Sequence, residues 1–364
     1  MLELLFTALL PFLLVFSLLV LVHECGHFFA AKFFNMKVEE FGLGIPPRVY
    51  AKQKGETVFS INAIPLGGFV KLLGEDGNDQ QDPRSFSAQP YLPRAIVLLA
   101  GVLMNVIAAW VIFTVLVFSQ GIDTHSVTLH IYDVQPTSPA ALAGIEKNDA
   151  IISIGNKEYP TFEEFTTIAK ESVGKSIPVT VRRGDQTTTV AITPREPSAE
   201  QGSLGVMVEL SLSAAGQMGD MLAVKEAVPA GNFLASITYG FALNYAVVIN
   251  TFQSLGALGM HLLQITLPKD IAGPIGILQL VGVHTRLGLF NLLFLVGVLS
   301  INLAVLNVLP IPALDGGRFT VITVEKILHK KLPPNVEALI HTSGFVLLLA
   351  LVVAVSFQDI ARMF

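Results

Sequence analysis

Four stretches of this chain stay apolar for about twenty residues or more, and the polar stretches between them follow two different patterns. A spanning helix needs roughly 20 mostly apolar residues. Residues 3–33, 95–119 and 336–357 meet that length, and a fourth run, 288–310, ends in prolines. These read as transmembrane helices, so the chain reads as a polytopic α-helical membrane protein. Across 123–210 charge, Gly and Pro return, and a period of two appears at 128–134 and 177–194, which predicts a soluble α+β domain inserted after the second span. Residues 48–73 read as a β-hairpin turning near Gly55 and Glu56. Its second arm is too apolar for a solvated loop, so it is expected to dip into the membrane or to line a cavity. Residues 232–264 are apolar enough to span, but one crossing there would put Asp315 on the opposite face from His23. With Asn244, Asn250 and Gln253, the segment is expected to be interfacial or re-entrant at the outer surface.

Composition agrees with a membrane protein: 52% hydrophobic, 14% charged and a mean hydropathy of +0.62. The single cysteine, Cys25, excludes an internal disulfide and a zinc site built on several thiolates. A net charge of -5 without a basic tract excludes a nucleic-acid partner. The run 2–22 lacks a basic leader and an A-x-A pattern, so it reads as a retained helix. Eight Lys/Arg between Lys32 and Arg94, and Arg318, Lys326, Lys330 and Lys331 between Ala313 and Asn335, put both loops in the cytoplasm by the positive-inside rule. The 123–210 domain and both chain ends then lie outside.

His-Glu-Cys-Gly-His at 23–27 sits near the cytoplasmic end of the first span. On a helix, His23 and His27 lie about 40° apart around the axis and Glu24 about 60° beyond His27, so two imidazoles can share a Zn²⁺ with a carboxylate at its edge. That carboxylate is placed to act as general base toward a water at the metal. Ionisable groups at membrane depth are costly and therefore functional by default. A catalytic zinc needs a third protein ligand and an open position, and Asp315 in 306–317 (LNVLPIPALDGG) is the candidate, following a helix break at Pro310 and Pro312. Its plainer reading is an N-cap for a helix over 316–329. Lone histidines such as His284 and His341 read as packed, hydrogen-bonded residues, and Cys25 points round the helix away from the metal.

These motifs resemble the bacterial site-2 protease family of intramembrane zinc metalloproteases, the RseP/RasP-like group, over nearly the whole chain. The resemblance implies His23 and His27 as ligands, Glu24 as base and Asp315 as third ligand for one Zn²⁺ per chain. Asn307 then assists substrate or transition-state contact. IPLGGFVKLLGED at 64–76 resembles the family's re-entrant β-loop, in which Leu66, Gly67, Gly68, Phe69 and Val70 offer an edge strand to an unwound substrate. GPIGI at 273–277 and AGVLMN at 100–105 also match, with Val102 where the family usually has proline.

Residues 138–159 and the helix 161–172 resemble a PDZ domain of the circularly permuted bacterial kind. The strand from Gly202 is then a peptide-binding edge, with Leu204, Gly205 and Val206 in the carboxylate loop. The organisation implied is 1–122, two helices with HExxH and hairpin; 123–210, one PDZ domain; 211–287, an interfacial or re-entrant helical segment; and 288–364, two helices with LDGG. The implied function is hydrolysis of peptide bonds within transmembrane segments of membrane proteins, such as anti-sigma factors or signal-peptide remnants, in a bacterial inner membrane. Its partners are transmembrane substrates, membrane lipid, and a peptide or substrate ectodomain at the PDZ. A membrane zinc carrier, which would not need Glu24, and an inactive PDZ anchor are the alternatives.

Overall fold

The computed structural model describes residues 5–75, 81–123, 127–147, 149–160, 162–183, 186–197, 202–212, 214–222, 224, 227–264, 273–330 and 332–361. Asp76, Thr161 and 265–272 lie outside that set, as does the side chain of Leu66. The chain divides into two compact units, Met1–Phe118 with Asn232–Phe364, and Ser119–Gly231.

The first unit is helical. After a π turn at Leu5–Leu9 come α1 (Leu10–Phe33) and, past a sheet, α2 (Tyr91–Gln120). With Val102 in place of a proline, α2 runs unbroken. Gly26 lets α1 meet α2 backbone to backbone, since a Cβ there would lie 2.3 Å from Ala100 O. The helix Leu289–Val308 is central, with 50% of its apolar window inside the bundle, against 11% for the helix Val336–Ala361. Large side chains that a soluble protein would bury, such as Leu14 at 63% and Leu347 at 69% exposure, face outward here. That is expected where lipid is the solvent.

The described residues hold five helices long and apolar enough to cross a membrane, where the hydropathy reading expected four spans. The fifth covers the segment expected at the outer surface, and it is one continuous helix, Phe233–Leu263. Its first half packs lengthwise in the bundle. Asn244 Nδ2 donates to Val106 O at 2.8 Å, Trp110 Nε1 donates to Ile237 O at 3.3 Å, and Thr251 Oγ1 donates to Asn302 Oδ1 at 2.7 Å. Beyond Thr251 it is largely exposed. These hydrogen bonds give its polar residues partners on neighbouring helices.

Between α1 and α2 lie β1 (Val38–Lys54) and β2 (Thr57–Leu72). The turn falls at Gly55 and Glu56, as read from the sequence, but the sheet starts ten residues earlier than 48 and is folded on itself. Phe41 faces Val70 on one side and Phe59 on the other, while Tyr50 to Lys54 pair with Ile61 to Thr57. The segment Gly68–Leu72 thus pairs with 38–43 and not with 48–54, and its other edge has no strand beside it among the described residues. Lys32 Nζ and Arg84 Nη1 each reach Glu56 at 2.7 Å and hold the turn beside the end of α1. Ser17 Oγ donates to Pro65 O at 3.0 Å. The sheet therefore follows α1 from Lys32 back to Ser17, about 22 Å at 1.5 Å per residue, well into the apolar part of that helix.

The second unit is an antiparallel sheet with short helices. Its strands are β3 (Val127–Val134), β4 (Ala150–Ile154), β5 (Lys157–Glu158), β6 (Ile177–Arg183), β7 (Gln186–Ile192) and β8 (Val206–Leu212), in the order β7-β6-β4-β3-β8 with β5 paired to β4. Leu129, Ile131, Ile151, Ile154, Val179, Val181 and Ile192 form its core with Phe165 and Ala169. Each such burial contributes about 1.5–3 kcal/mol. The stretch 214–231 belongs to this unit, which extends past residue 210. Asp149, fully buried, takes the Arg183 guanidinium at 2.7 Å and the Glu146 N–H at 2.9 Å. Burial alone would raise its carboxyl, but these partners outweigh burial and hold it below the usual carboxylate range.

Candidate active site

Helical spacing brings His23 and His27 to one face of α1, and their Nε2 atoms lie 3.1 Å apart. Asp315 Oδ2 closes a triangle at 2.9 Å from His23 Nε2 and 3.3 Å from His27 Nε2. A tetrahedral zinc with ligands at about 2.0–2.1 Å sets its donor atoms about 3.3 Å apart, so this donor set fits the ion. Asp315 is the first residue of the helix Asp315–Leu328, and no side chain caps that helix; the carboxylate goes to the imidazoles instead. No described residue adds a fourth donor to this His23, His27 and Asp315 group.

The surroundings also suit a metal. His27 Nδ1 donates to Val97 O at 2.8 Å, leaving Nε2 to face the triangle. His23 Nδ1 lies 3.3 Å from the Asn105 amide, whose Oδ1 is buried without a partner. Turning that amide by 180° puts Oδ1 where it accepts the Nδ1–H, which fixes His23 in the metal-facing tautomer. Gly101 lies under both rings, and a Cβ there would fall 2.4 Å from His27 Nε2. Asn105 and Gly101 carry no chemistry in the sequence reading beyond their place in AGVLMN. The Val97 carbonyl has no sequence signal at all.

Asp315 is delivered by a tight loop. Gly316 and Gly317 lie against the backbone of Val308, Leu309 and Ile311, where a Cβ would come within 2.4 Å of a carbonyl oxygen. Ala313 has φ +75°, a left-handed conformation that costs an L-residue about 1–2 kcal/mol. Asn307 is buried in the last turn of Leu289–Val308, but no side-chain bond joins it to the His23, His27 and Asp315 group.

A cavity of about 330 Å³ joins Glu24, His27 and Asp315 to Phe69 and Val70 of the free sheet edge. Glu24 lies against that strand: a Cβ on Gly68 would be 3.5 Å from Glu24 Cγ. Arg318 pairs with Glu75 at the wall of this cavity. In the other unit a groove of about 380 Å³ runs between β8 and the helix Phe162–Glu171, and Leu204, Gly205 and Val206 line it with Phe162 and Ala169. Gly205 is at φ +70°, with Ser138 Cβ 2.3 Å from where its own would be, so only glycine fits. Leu66 keeps its place in β2. His284 is packed, with Nδ1 bonded to Leu280 O at 2.9 Å, and Cys25 is outside the ligand group.

Two imidazoles and a carboxylate that could hold a metal ion, with a glutamate at their side among apolar helices, fit the class of membrane-embedded zinc metalloproteases. The sequence matches Peptidase family M50 over residues 11–351. The chain belongs to this family, the site-2 proteases, and is an intramembrane zinc metalloprotease acting on protein substrates. It is similar to a Clostridium perfringens protein named as a zinc metalloprotease, 33% identical over 348 residues that cover 96% of this chain and 97% of that one. It is likewise similar to zinc metalloprotease RasP of Oceanobacillus iheyensis, 27% identical over 438 residues covering 98% and 100%. A crystal structure of the PDZ domain of an SdrC-like protein from Listeria monocytogenes matches 22% of this chain and 85% of that one, at 19% identity and a TM-score of 0.20.

Proposed function

We propose that His23, His27 and Asp315 hold the zinc, that Glu24 is the general base, and that the edge Gly68–Val70 aligns the substrate. The convergence of Glu24, the ligand triangle and the free edge on one cavity carries this reading. Zinc, when bound, polarises the scissile carbonyl and makes water more acidic. The chain's own residues do the rest. Glu24 takes a proton from the attacking water and returns it to the leaving amide nitrogen. Val97 O and Asn105 hold the two imidazoles in orientation. The substrate helix must unwind, because an intact helix hides its carbonyls, and Gly68 with no side chain lets an extended backbone approach the strand beside Glu24.

Main-chain pairing tolerates many sequences, so selection is expected to rest on helix-destabilising residues near the scissile bond. The PDZ groove is proposed to take a peptide or the external part of a substrate, admitting or excluding it before the edge strand acts. Lys/Arg placement supports a bacterial inner-membrane orientation with the site toward the cytoplasm and the PDZ unit outside. Asn307 is proposed to contact the substrate. The test is cleavage of a single-span substrate by full-length protein. Glu24→Gln should keep its zinc and lose activity by about 10²–10⁴-fold, and proline at Phe69 or Val70 should lower cleavage strongly with zinc unchanged. Residual cleavage by Glu24→Gln near the wild-type rate rejects the base, and full activity of both proline variants rejects the edge.

A further inference from the structure

The helix Pro334–Ala361 meets the loop before Asp315 through one narrow face. His341 Nδ1 accepts the Ala313 N–H at 3.2 Å. Three residues on, Gly344 lies flush on the preceding residue, where a Cβ would fall 2.3 Å from Pro312 Cβ and 2.6 Å from Pro312 O. Residues at i and i+3 share a helix face, so His341 and Gly344 together form a seat for Pro312 and Ala313. The residue held there is the one in the left-handed conformation, two positions ahead of Asp315. Because Nδ1 accepts, the neutral ring carries its proton on Nε2, and Nε2 is buried with no partner. A side chain chosen only to fill this space would not bring an unsatisfied donor with it. What the imidazole supplies is the acceptor for Ala313. His341 also lines, with Asp315 and Arg318, a cavity of about 380 Å³.

We propose that His341 is a positioning residue for the metal site: by accepting the Ala313 N–H it holds the left-handed turn that presents the Asp315 carboxylate to His23 and His27. This rests on the reading of Asp315 as third ligand. His341 is not a member of the His23, His27 and Asp315 group, and it acts through the backbone of 313–315.

The test uses full-length protein in detergent micelles, with zinc release to excess chelator as the readout and the visible spectrum of the cobalt-substituted protein as a second. His341→Ala is expected to release zinc about 10-fold faster or more, as for the loss of a residue supporting a metal ligand, and to shift the cobalt bands. His341→Asn, whose Oδ1 falls near the position of Nδ1, should stay near wild type, whereas His341→Gln, whose acceptor is one carbon further out, should behave as His341→Ala. Glycine adopts φ +75° freely, so Ala313→Gly placed in His341→Ala should restore most of the zinc retention. Wild-type release from His341→Ala overturns the proposal. So does a double variant no better than His341→Ala, or Asn and Gln variants that release zinc equally fast; that last comparison decides the matter if His341→Ala does not fold. Asp315→Asn separates the two levels: if it holds zinc as wild type does, the ligand assignment falls and the positioning role with it.

Discussion

The two units bury opposite things. In the β-sheet unit the alternating apolar residues of the strands go inward, and Leu129, Ile131, Ile151 and Ile154 are among its least exposed side chains. In the helical unit Leu14, Leu18 and Phe29 of α1 and Phe345 and Leu347 of Val336–Ala361 face out, while His23, Asn105, Asn244, Ser300 and Asn307 are inside. Water drives the first arrangement through the hydrophobic effect. Lipid tails are as apolar as leucine and provide no such force between helices, so in the second unit packing and polar contacts decide what turns inward. Buried polar residues in the β-sheet unit mark turns and an ion pair. In the helical unit they include the His23, His27 and Asp315 group and contacts between helices.

Substitutions can break or sharpen that contrast. Ile131→Ala should destabilise the β-sheet unit by about 2–5 kcal/mol, read as faster hydrogen exchange of its amides in the full chain, with zinc content unchanged. In the other unit the sensitive position is a glycine. Gly101→Ala drives a methyl into both imidazoles and should weaken zinc binding by about 10–100-fold, measured as retention against chelator, without unfolding the helices. Asp149 supplies a pH test. Its carboxyl is lower in the folded state than in the unfolded chain, so its stabilisation is complete above about pH 4 and is lost as pH falls through the lowered folded value. Asp149→Asn should destabilise the β-sheet unit by about 1–2 kcal/mol near neutral pH and flatten its loss of stability in acid. The smallest effect is expected from Leu14→Ala, a large side chain turned outward, within about 0.5 kcal/mol by thermal unfolding in lipid.

That His23, His27 and Asp315 come together was legible in the sequence, because two histidines four apart share a helix face whatever surrounds them and a broken apolar run is followed by Asp315. The strands of the β-sheet unit were legible from alternation. What was not legible depended on partners remote in sequence. Turn signals at Gly55 predict a hairpin, but nothing local says that Phe41 lies between Phe59 and Val70. The composition of 232–264 suits a surface helix and a packed one alike, and only Asn244 reaching Val106 O and Thr251 reaching Asn302 decide how its first half is used. His341 read as an ordinary packed histidine, since its partner is a backbone N–H whose unusual conformation leaves no trace in the sequence.

The separation of 292 positions between His23 and Asp315 also imposes an order of assembly. The histidine pair enters the membrane with the first helix, when most of the chain has yet to be made. At about 5–20 residues per second, the proposed third ligand follows roughly 15–60 s later, after the whole β-sheet unit has been synthesised. Until then the nascent chain carries two of the three proposed ligands, and a ribosome that stalls midway leaves a fragment without Asp315.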